Sequence, residues 1–218
     1  MVNVIIPAGG KSERYSKKIS KLDEIIHTKS VLHHTLSAFV NNAQINQIAI
    51  AIPEAEEKKY KQVCKSFNKK IIITPGGRSR AESVHNAFQQ LDACKFVLIH
   101  DAARPNVSQE LINTIISELN THKVVIPGIP VTDTIKKVSS KNIIETVDRN
   151  ELVAVQTPQG FHYSELQAAY KSIHDLSMIT DEAGLMEQHG IFGRIIEGEK
   201  ENIKVTHPID LTILKSLL

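Results

Sequence analysis

What most constrains the fold of this chain is a set of short, uninterrupted apolar runs spaced along its first 126 residues. Val4–Ile6, Ile48–Ile52, Ile71–Ile73, Phe96–Ile99 and Val124–Ile126 show no polar alternation. A strand that shows water on neither face reads this way, and such strands belong to parallel sheets covered on both sides. Between the runs lie stretches with helical spacing. Val31, Leu32, Leu36 and Phe39 mark one over 30–39, a charged segment fills 55–67, Val84, Ala87, Phe88 and Leu91 mark one over 81–91, and another covers 109–119. Strands alternating with helices predict an α/β fold, a mostly parallel sheet flanked by helices and joined by right-handed crossovers. A chain of 218 residues fits a single domain over residues 1–218.

The rhythm changes over residues 130–155. Two β-branched runs, Thr134 to Val138 and Ile143 to Val147, are joined by Ser139-Ser140-Lys141-Asn142. This pattern predicts an antiparallel β-arm that protrudes from the sheet. A two-stranded ribbon has little core of its own, so a second subunit is expected to cover it. Helices are predicted over 163–172 and 180–189, the second with Thr180 at its N-terminal cap and Asp181 and Glu182 in its first turn. A late strand over 192–196 and a closing helix over 208–218 complete the chain.

Composition narrows the partners. A net charge of +2 gives no ground for a nucleic-acid or membrane partner, so any positive potential must be local. No apolar run approaches the roughly 18 residues of a spanning helix, and the apolar start lacks the basic flank of a signal peptide. Cys64 and Cys94, the two cysteines, read as packing thiols in a reducing compartment. The expected location is the cytoplasm.

In an open α/β sheet, ligands sit beyond the carboxyl ends of the strands. The unusual residues of this chain fall there. After the first run, Pro7 ends the strand, Ala8, Gly9 and Gly10 leave room for close backbone approach, and Lys11, Arg14, Lys17, Lys18 and Lys21 supply cations. That combination suits a phosphate-rich ligand, although neither GxGxxG nor GxxxxGK[ST] is present. After the third run come Gly76, Gly77, Arg78, Arg80 and Ser83, and after the fourth come Asp101 and Arg104. A lone carboxylate among phosphate-binding cations is a natural Mg²⁺ ligand; an aspartate capping a turn looks the same. Arg80 and Lys204 read equally as solvated surface cations, and His100 reads as a packed or capping histidine. No motif supports a zinc site or a Ser/His/Asp triad.

PAGGKSERY, GGRSRAESV, HDAARP, PVTDTIK, VDRN, TPQGF, ITDEAG and ENIKVTHPIDL occur in that order and span nearly the whole chain. Together they resemble the methylerythritol phosphate cytidylyltransferases of the non-mevalonate isoprenoid pathway. The resemblance implies a Rossmann-like α/β subunit, a homodimer joined through the β-arm, and CTP used with Mg²⁺ or another divalent cation. It implies that Arg14 and Lys21 stabilise the transition state at the α-phosphate, while Arg149 and Lys204 position the attacking phosphate. Ala8, Gly9, Gly10, Gly77, Ser83, Asp101 and Ala102 match positions lining the CTP pocket, with Asp101 near the metal. Arg104, Thr134, Thr157 and Thr180 match contacts to the sugar-phosphate acceptor, some of them made across the dimer.

The first loop departs from the family's usual AAGxGxRM, with Ser12 for the second glycine. The lysine of the usual PKQ triplet stands here in Ser20-Lys21-Leu22. Choosing Lys21 over Lys17 or Lys18 rests on its seven-residue spacing from Arg14. Relatives that transfer CMP to ribitol phosphate or another polyol phosphate share much the same motifs. A dinucleotide-dependent oxidoreductase and a non-catalytic nucleotide-binding regulator are the alternatives from other classes; the missing GxGxxG weighs against the first.

Overall fold

The computed structural model describes residues 1–10, 15, 20–173, 175–176 and 178–218. Strand β1 (Val2–Pro7) is followed by a two-residue pair, β2 (Ile25–Ile26) and β3 (Lys29–Ser30), and by helix α1 (Val31–Val40). Then come β4 (Ile45–Ile52), α2 (Glu57–Lys65), β5 (Ile71–Pro75), α3 (Arg80–Phe88), β6 (Phe96–Ile99), α4 (Gln109–Glu118) and β7 (Val124–Pro130). All five apolar runs are strands. A hairpin of β8 (Ile135–Ser139) and β9 (Asn142–Val147) leads to β10 (Val153–Val155), β11 (Gln159–His162), α5 (Tyr163–Ser172), α6 (Glu182–Gln188), β12 (Arg194–Glu197) and α7 (Pro208–Leu217).

Helix starts follow the side-chain chemistry. Ser30, Ser79 and Ser108 stand in extended backbone before α1, α3 and α4, and each hydroxyl accepts the N–H three residues on. Such a cap satisfies one of the orphan donors of the first turn and is worth about 1 kcal/mol. For α6 the sequence points to Thr180, but the cap is Asp181, whose Oδ1 accepts from Gly184 N at 3.0 Å.

The period of two along each strand sorts its side chains onto two faces. Val4 and Ile6 of β1, Ile48, Ile50 and Ile52 of β4, and Phe96 and Leu98 of β6 join one core with residues of α1, α2, α4 and α7. Ile5, Ala49, Ala51, Val97 and Ile99 join the other, under α3, α5 and α6. Each fully buried Ile, Leu or Phe contributes about 1.5–3 kcal/mol. The alanines at 49 and 51, facing Ala81 and Ala87 of α3, leave little side-chain bulk between that helix and the sheet.

The main sheet runs β10-β7-β11-β6-β1-β4-β5, with β12 also on β7. β6-β1-β4-β5 is parallel throughout, as expected. The other half corrects the expectation of further parallel βα units. β11 lies between β6 and β7 and is antiparallel to both, and β10 is antiparallel to β7. The sheet is therefore mixed. β10 and β11 succeed one another along one edge of β7, and β12 adds in parallel on the other. Sequence reading missed β11 because Pro158 and Gly160 break its strand signal, and β10 because it is only three residues long. Gly160 is required here: a Cβ would stand 2.6 Å from Ile115 Cγ2 and 2.9 Å from Leu119 Cδ1.

The β8–β9 hairpin is the expected arm. It forms a two-stranded sheet of its own, and Ser140 and Lys141 at its tip both have positive φ. Val138, Ile143 and Ile144 are exposed along it. Among the described residues no helix is long and apolar enough to cross a membrane. Cys64 and Cys94 are both free thiols, with burial pushing each up to about 11.

Candidate active site

The parallel ladder continues one step past the strands and sets up a cleft. Ala8 N donates to Ala51 O, Gly76 N to Ile52 O and His100 N to Ile5 O, at 2.7–2.9 Å. These bonds hold the chain where it leaves β1, β5 and β6. The cleft they surround has a volume of about 960 Å³, ample for a nucleotide. Of the residues expected at a site, Ala8, Gly9, Gly10, Lys21, Gly77, Ser83, Asp101, Ala102 and Lys204 line it, as do Arg78 and Arg80.

The wall beyond β5 is a folded loop rather than a loose glycine turn. Ser83 accepts from Gly77 N at 2.9 Å and donates to Ser79 O at 2.8 Å. Glu82 receives Arg78 N and its guanidinium. Gly77 is needed for this packing, since a Cβ would come within 2.2 Å of Glu82 Cβ.

At the floor, Asp101 is held between two cations. Lys204 Nζ donates to its Oδ2 at 2.6 Å, and Arg80 Nε to its Oδ1 at 3.2 Å. Burial alone would raise this carboxyl, but Arg80 and Lys204 hold it well below the usual range. Arg80 extends the chain to the fully buried Glu182, with Nη1 to Oε2 at 2.7 Å. Burial disfavours the Arg80 charge, yet Glu182 and Asp101 together raise it above its ordinary value. Lys21 donates to Val205 O at 2.9 Å, joining the first loop to the segment that carries Lys204.

Beneath Asp101 lies a second, neutral network. His100 Nε2 meets the Arg104 carbonyl at 3.0 Å; a carbonyl only accepts, so this nitrogen carries the proton. Nδ1 is left to accept the Thr157 hydroxyl at 3.1 Å, and Thr157 Oγ1 in turn accepts Asp101 N at 3.1 Å. Burial pushes the His100 imidazole down to about 4, and its ring packs on Phe39 at 4.9 Å. The packed histidine expected from the sequence is what the structure contains.

Other expected residues are not among the described residues that line the cleft. Arg14 lies outside the described residues, as do Lys11, Ser12, Lys17 and Lys18. Thr157 is buried, and its hydroxyl supports the Asp101 backbone instead of facing the cleft. Arg104 is half-buried, with Nη1 on Asn202 O at 2.6 Å, away from the cleft lining. Thr134 and Arg149 are exposed at the base of the arm, Arg149 donating to Thr132 O. Thr180 lines a separate hollow of about 410 Å³ with Met178, Ile179 and Glu187. Sequence reasoning left Arg80 undecided and gave Glu182 only a place in a helix turn. Their pairing depends on a contact 102 residues apart in the chain, which no local pattern carries.

For a divalent cation, the described residues hold no group of three His, Cys, Asp or Glu. Asp101 is the carboxylate among the cleft-lining residues. That donor set fits Mg²⁺ bound mainly through a ligand's phosphates with one protein carboxylate, and does not fit a dedicated metal cage.

A cationic cleft of nucleotide size at the strand ends, with one carboxylate and no base or nucleophile constellation among the described residues, is what an α/β nucleotidyltransferase requires. The family model described as IspD, 2-C-methyl-D-erythritol 4-phosphate cytidylyltransferase, matches residues 2–218. The chain belongs to that family. A relative of that name from Alkaliphilus metalliredigens is 38% identical over 223 residues, covering 100% of this chain and 92% of its own. The crystal structure of the Francisella tularensis 2-C-methyl-D-erythritol 4-phosphate cytidylyltransferase superposes with a TM-score of 0.86 at 29% identity, covering 100% of this chain and 99% of that one. That of the Anaerococcus prevotii 4-diphosphocytidyl-2C-methyl-D-erythritol synthase gives 0.85 at 26%, over 99% and 97%.

Proposed function

We propose that this protein transfers CMP from CTP to 2-C-methyl-D-erythritol 4-phosphate, releasing pyrophosphate, and that it works as a homodimer. The observation that carries the reading is Asp101 held between Lys204 and Arg80 at the strand ends, in a chain of this family. A phosphate oxygen of the acceptor bonds to the α-phosphorus of CTP, and the bond from that phosphorus to the β-phosphate oxygen breaks. A phosphomonoester is largely dianionic near neutral pH, its second pKa being about 6. The nucleophile therefore needs no general base, in keeping with described cleft residues that supply cations and one carboxylate. Catalysis rests on bringing two polyanions together and offsetting charge on the α-phosphoryl oxygens.

Ala8, Gly9, Gly10, Gly77, Ser83 and Ala102 form the nucleotide wall. Arg14 and Lys21 face the α-phosphate, while Lys204 and Arg149 orient the acceptor phosphate. Asp101 holds the divalent cation that accompanies CTP; when bound, that cation supplies charge neutralisation at the phosphates. Arg104, Thr134 and Thr180 serve the acceptor, with Thr134 and Arg149 reaching the neighbouring subunit's cleft from the arm. Thr157 acts through the Asp101 amide. The exposed Val138, Ile143 and Ile144 support the dimer, because such a ribbon gains stability only when covered.

The deciding assay is pyrophosphate release with CTP and Mg²⁺, comparing methylerythritol phosphate with ribitol phosphate. Release with the first and little with the second is expected. No release with either acceptor, or faster release with ribitol phosphate, overturns the reading.

A further inference from the structure

Nothing in the transfer chemistry uses the carboxylate of Glu182, and it lies outside the cleft lining. It opens α6, is fully buried, and its Oε2 accepts Arg80 Nη1 at 2.7 Å. Its Oε1 accepts the Tyr170 hydroxyl, at 3.4 Å. From there the charges alternate: Glu182, Arg80, Asp101, Lys204. Burying a carboxylate is costly, and apolar residues of similar volume often replace a buried ion pair without loss of stability. Ala183, Leu185 and Met186 already pack this helix on the sheet. The charge at 182 therefore calls for a role besides packing.

The geometry at Arg80 supplies one. A guanidinium presents a fork that closes on a carboxylate with two parallel bonds when nothing prevents it. Here Arg80 meets Asp101 Oδ1 through Nε at 3.2 Å and turns another edge, through Nη1, to Glu182 at 2.7 Å. Lys204 then takes the other Asp101 oxygen. The anchor is itself fixed, since the neighbouring Asp181 accepts Gln159 Nε2 at 2.7 Å and ties the start of α6 to β11.

We propose that Glu182 is a positioning residue for the nucleotide half of the site: by holding Nη1 of Arg80 it fixes the guanidinium edge that meets Asp101, so that the carboxylate is set in place for CTP and its cation. The inference rests on the nucleotide reading of the cleft.

The test titrates wild type, E182Q and E182D with CTP and Mg²⁺ by calorimetry, alongside thermal unfolding and steady-state kinetics. E182Q should bind CTP about tenfold more weakly, the scale of one charge-assisted hydrogen bond, with the acceptor KM little changed. E182D, which keeps the charge, should recover part of that affinity. It also carries the comparison if E182Q does not fold. Adding E182Q to Arg80→Met should cost no further CTP affinity, because Glu182 acts through Arg80. Unchanged CTP affinity in E182Q, equal losses for CTP and acceptor, or additive losses in the double variant would each overturn the proposal. If wild type binds no CTP, the nucleotide reading fails and the inference with it, an outcome visible before any variant is compared.

Discussion

The cleft and the arm are built on opposite terms. The floor of the cleft is assembled within one chain: Asp101, Arg80, Lys204 and Glu182 are tied together by ion pairs, two of them spanning 102 and 103 residues of sequence. The arm carries a hydrogen-bonded ribbon but leaves Val138, Ile143 and Ile144 in water. Groups that must meet a charged ligand with little reorganisation are fixed in advance, which is where preorganised electrostatics gains its strength. The arm, proposed to meet another copy of the chain, keeps its apolar surface open.

If this contrast holds, damage in the cleft should reach the fold or the chemistry, and damage in the arm should reach neither within a single subunit. The largest effect is expected for Asp101→Ala. It leaves Arg80 and Lys204 without their shared anion, and breaking such a partly buried network should cost about 3 kcal/mol or more in urea unfolding. A loss below about 1 kcal/mol, the size of an exposed pair, would show that the floor is not preassembled.

Next comes pH. Folded His100 stays neutral down to about 4, against an ordinary value of 6.5. Between those values the unfolded chain binds the extra proton, so stability is full above about pH 6.5 and is lost as pH falls toward 4, by about 3 kcal/mol. The depressed Asp101 carboxyl acts in the same direction at still lower pH. Thermal unfolding from pH 7 to 4 should show this slope, and His100→Gln should flatten it; a variant as steep as wild type would remove His100 as the cause.

Lys21→Ala should lower turnover at least about a hundredfold, the loss expected for one preorganised donor, while folding changes little. Wild-type turnover would break the assignment of this lysine. The smallest effect on folding belongs to the arm: Ile143→Asp should shift monomer stability by no more than about 0.5 kcal/mol, as exposed substitutions do. Sedimentation should nevertheless show the dimer lost. A variant that remains dimeric would place the interface elsewhere.

The parts of the molecule that local pattern governs were legible in the sequence. Five apolar runs became five strands, and the arm's two runs paired across a polar turn. The start of the helix after Thr180 was read to within one residue, the cap being Asp181. What escaped was decided by distant contacts. TPQGF forms a strand because β6 and β7 leave a gap for it and Gly160 lets Ile115 and Leu119 come close. Thr157 turns inward because the Asp101 amide needs an acceptor. The cleft itself was legible only in part. The glycine loops and Asp101 fall at strand ends and announce themselves, whereas Arg80 looks like any surface cation until Glu182 is found beside it.

The place of β11 has a consequence for how the protein is made. β6 and β7 are consecutive parallel-reading runs in the sequence, yet neither pairs with the other; residues 159–162 fill the space between them. As the chain leaves the ribosome, the inner edge of Phe96–Ile99 stays bare until the arm and everything before residue 162 have been synthesised. An open, apolar strand edge is a template for association with other chains. A nascent chain stalled anywhere between β6 and β11 should therefore be the most aggregation-prone length of this protein, and the one that most needs a chaperone.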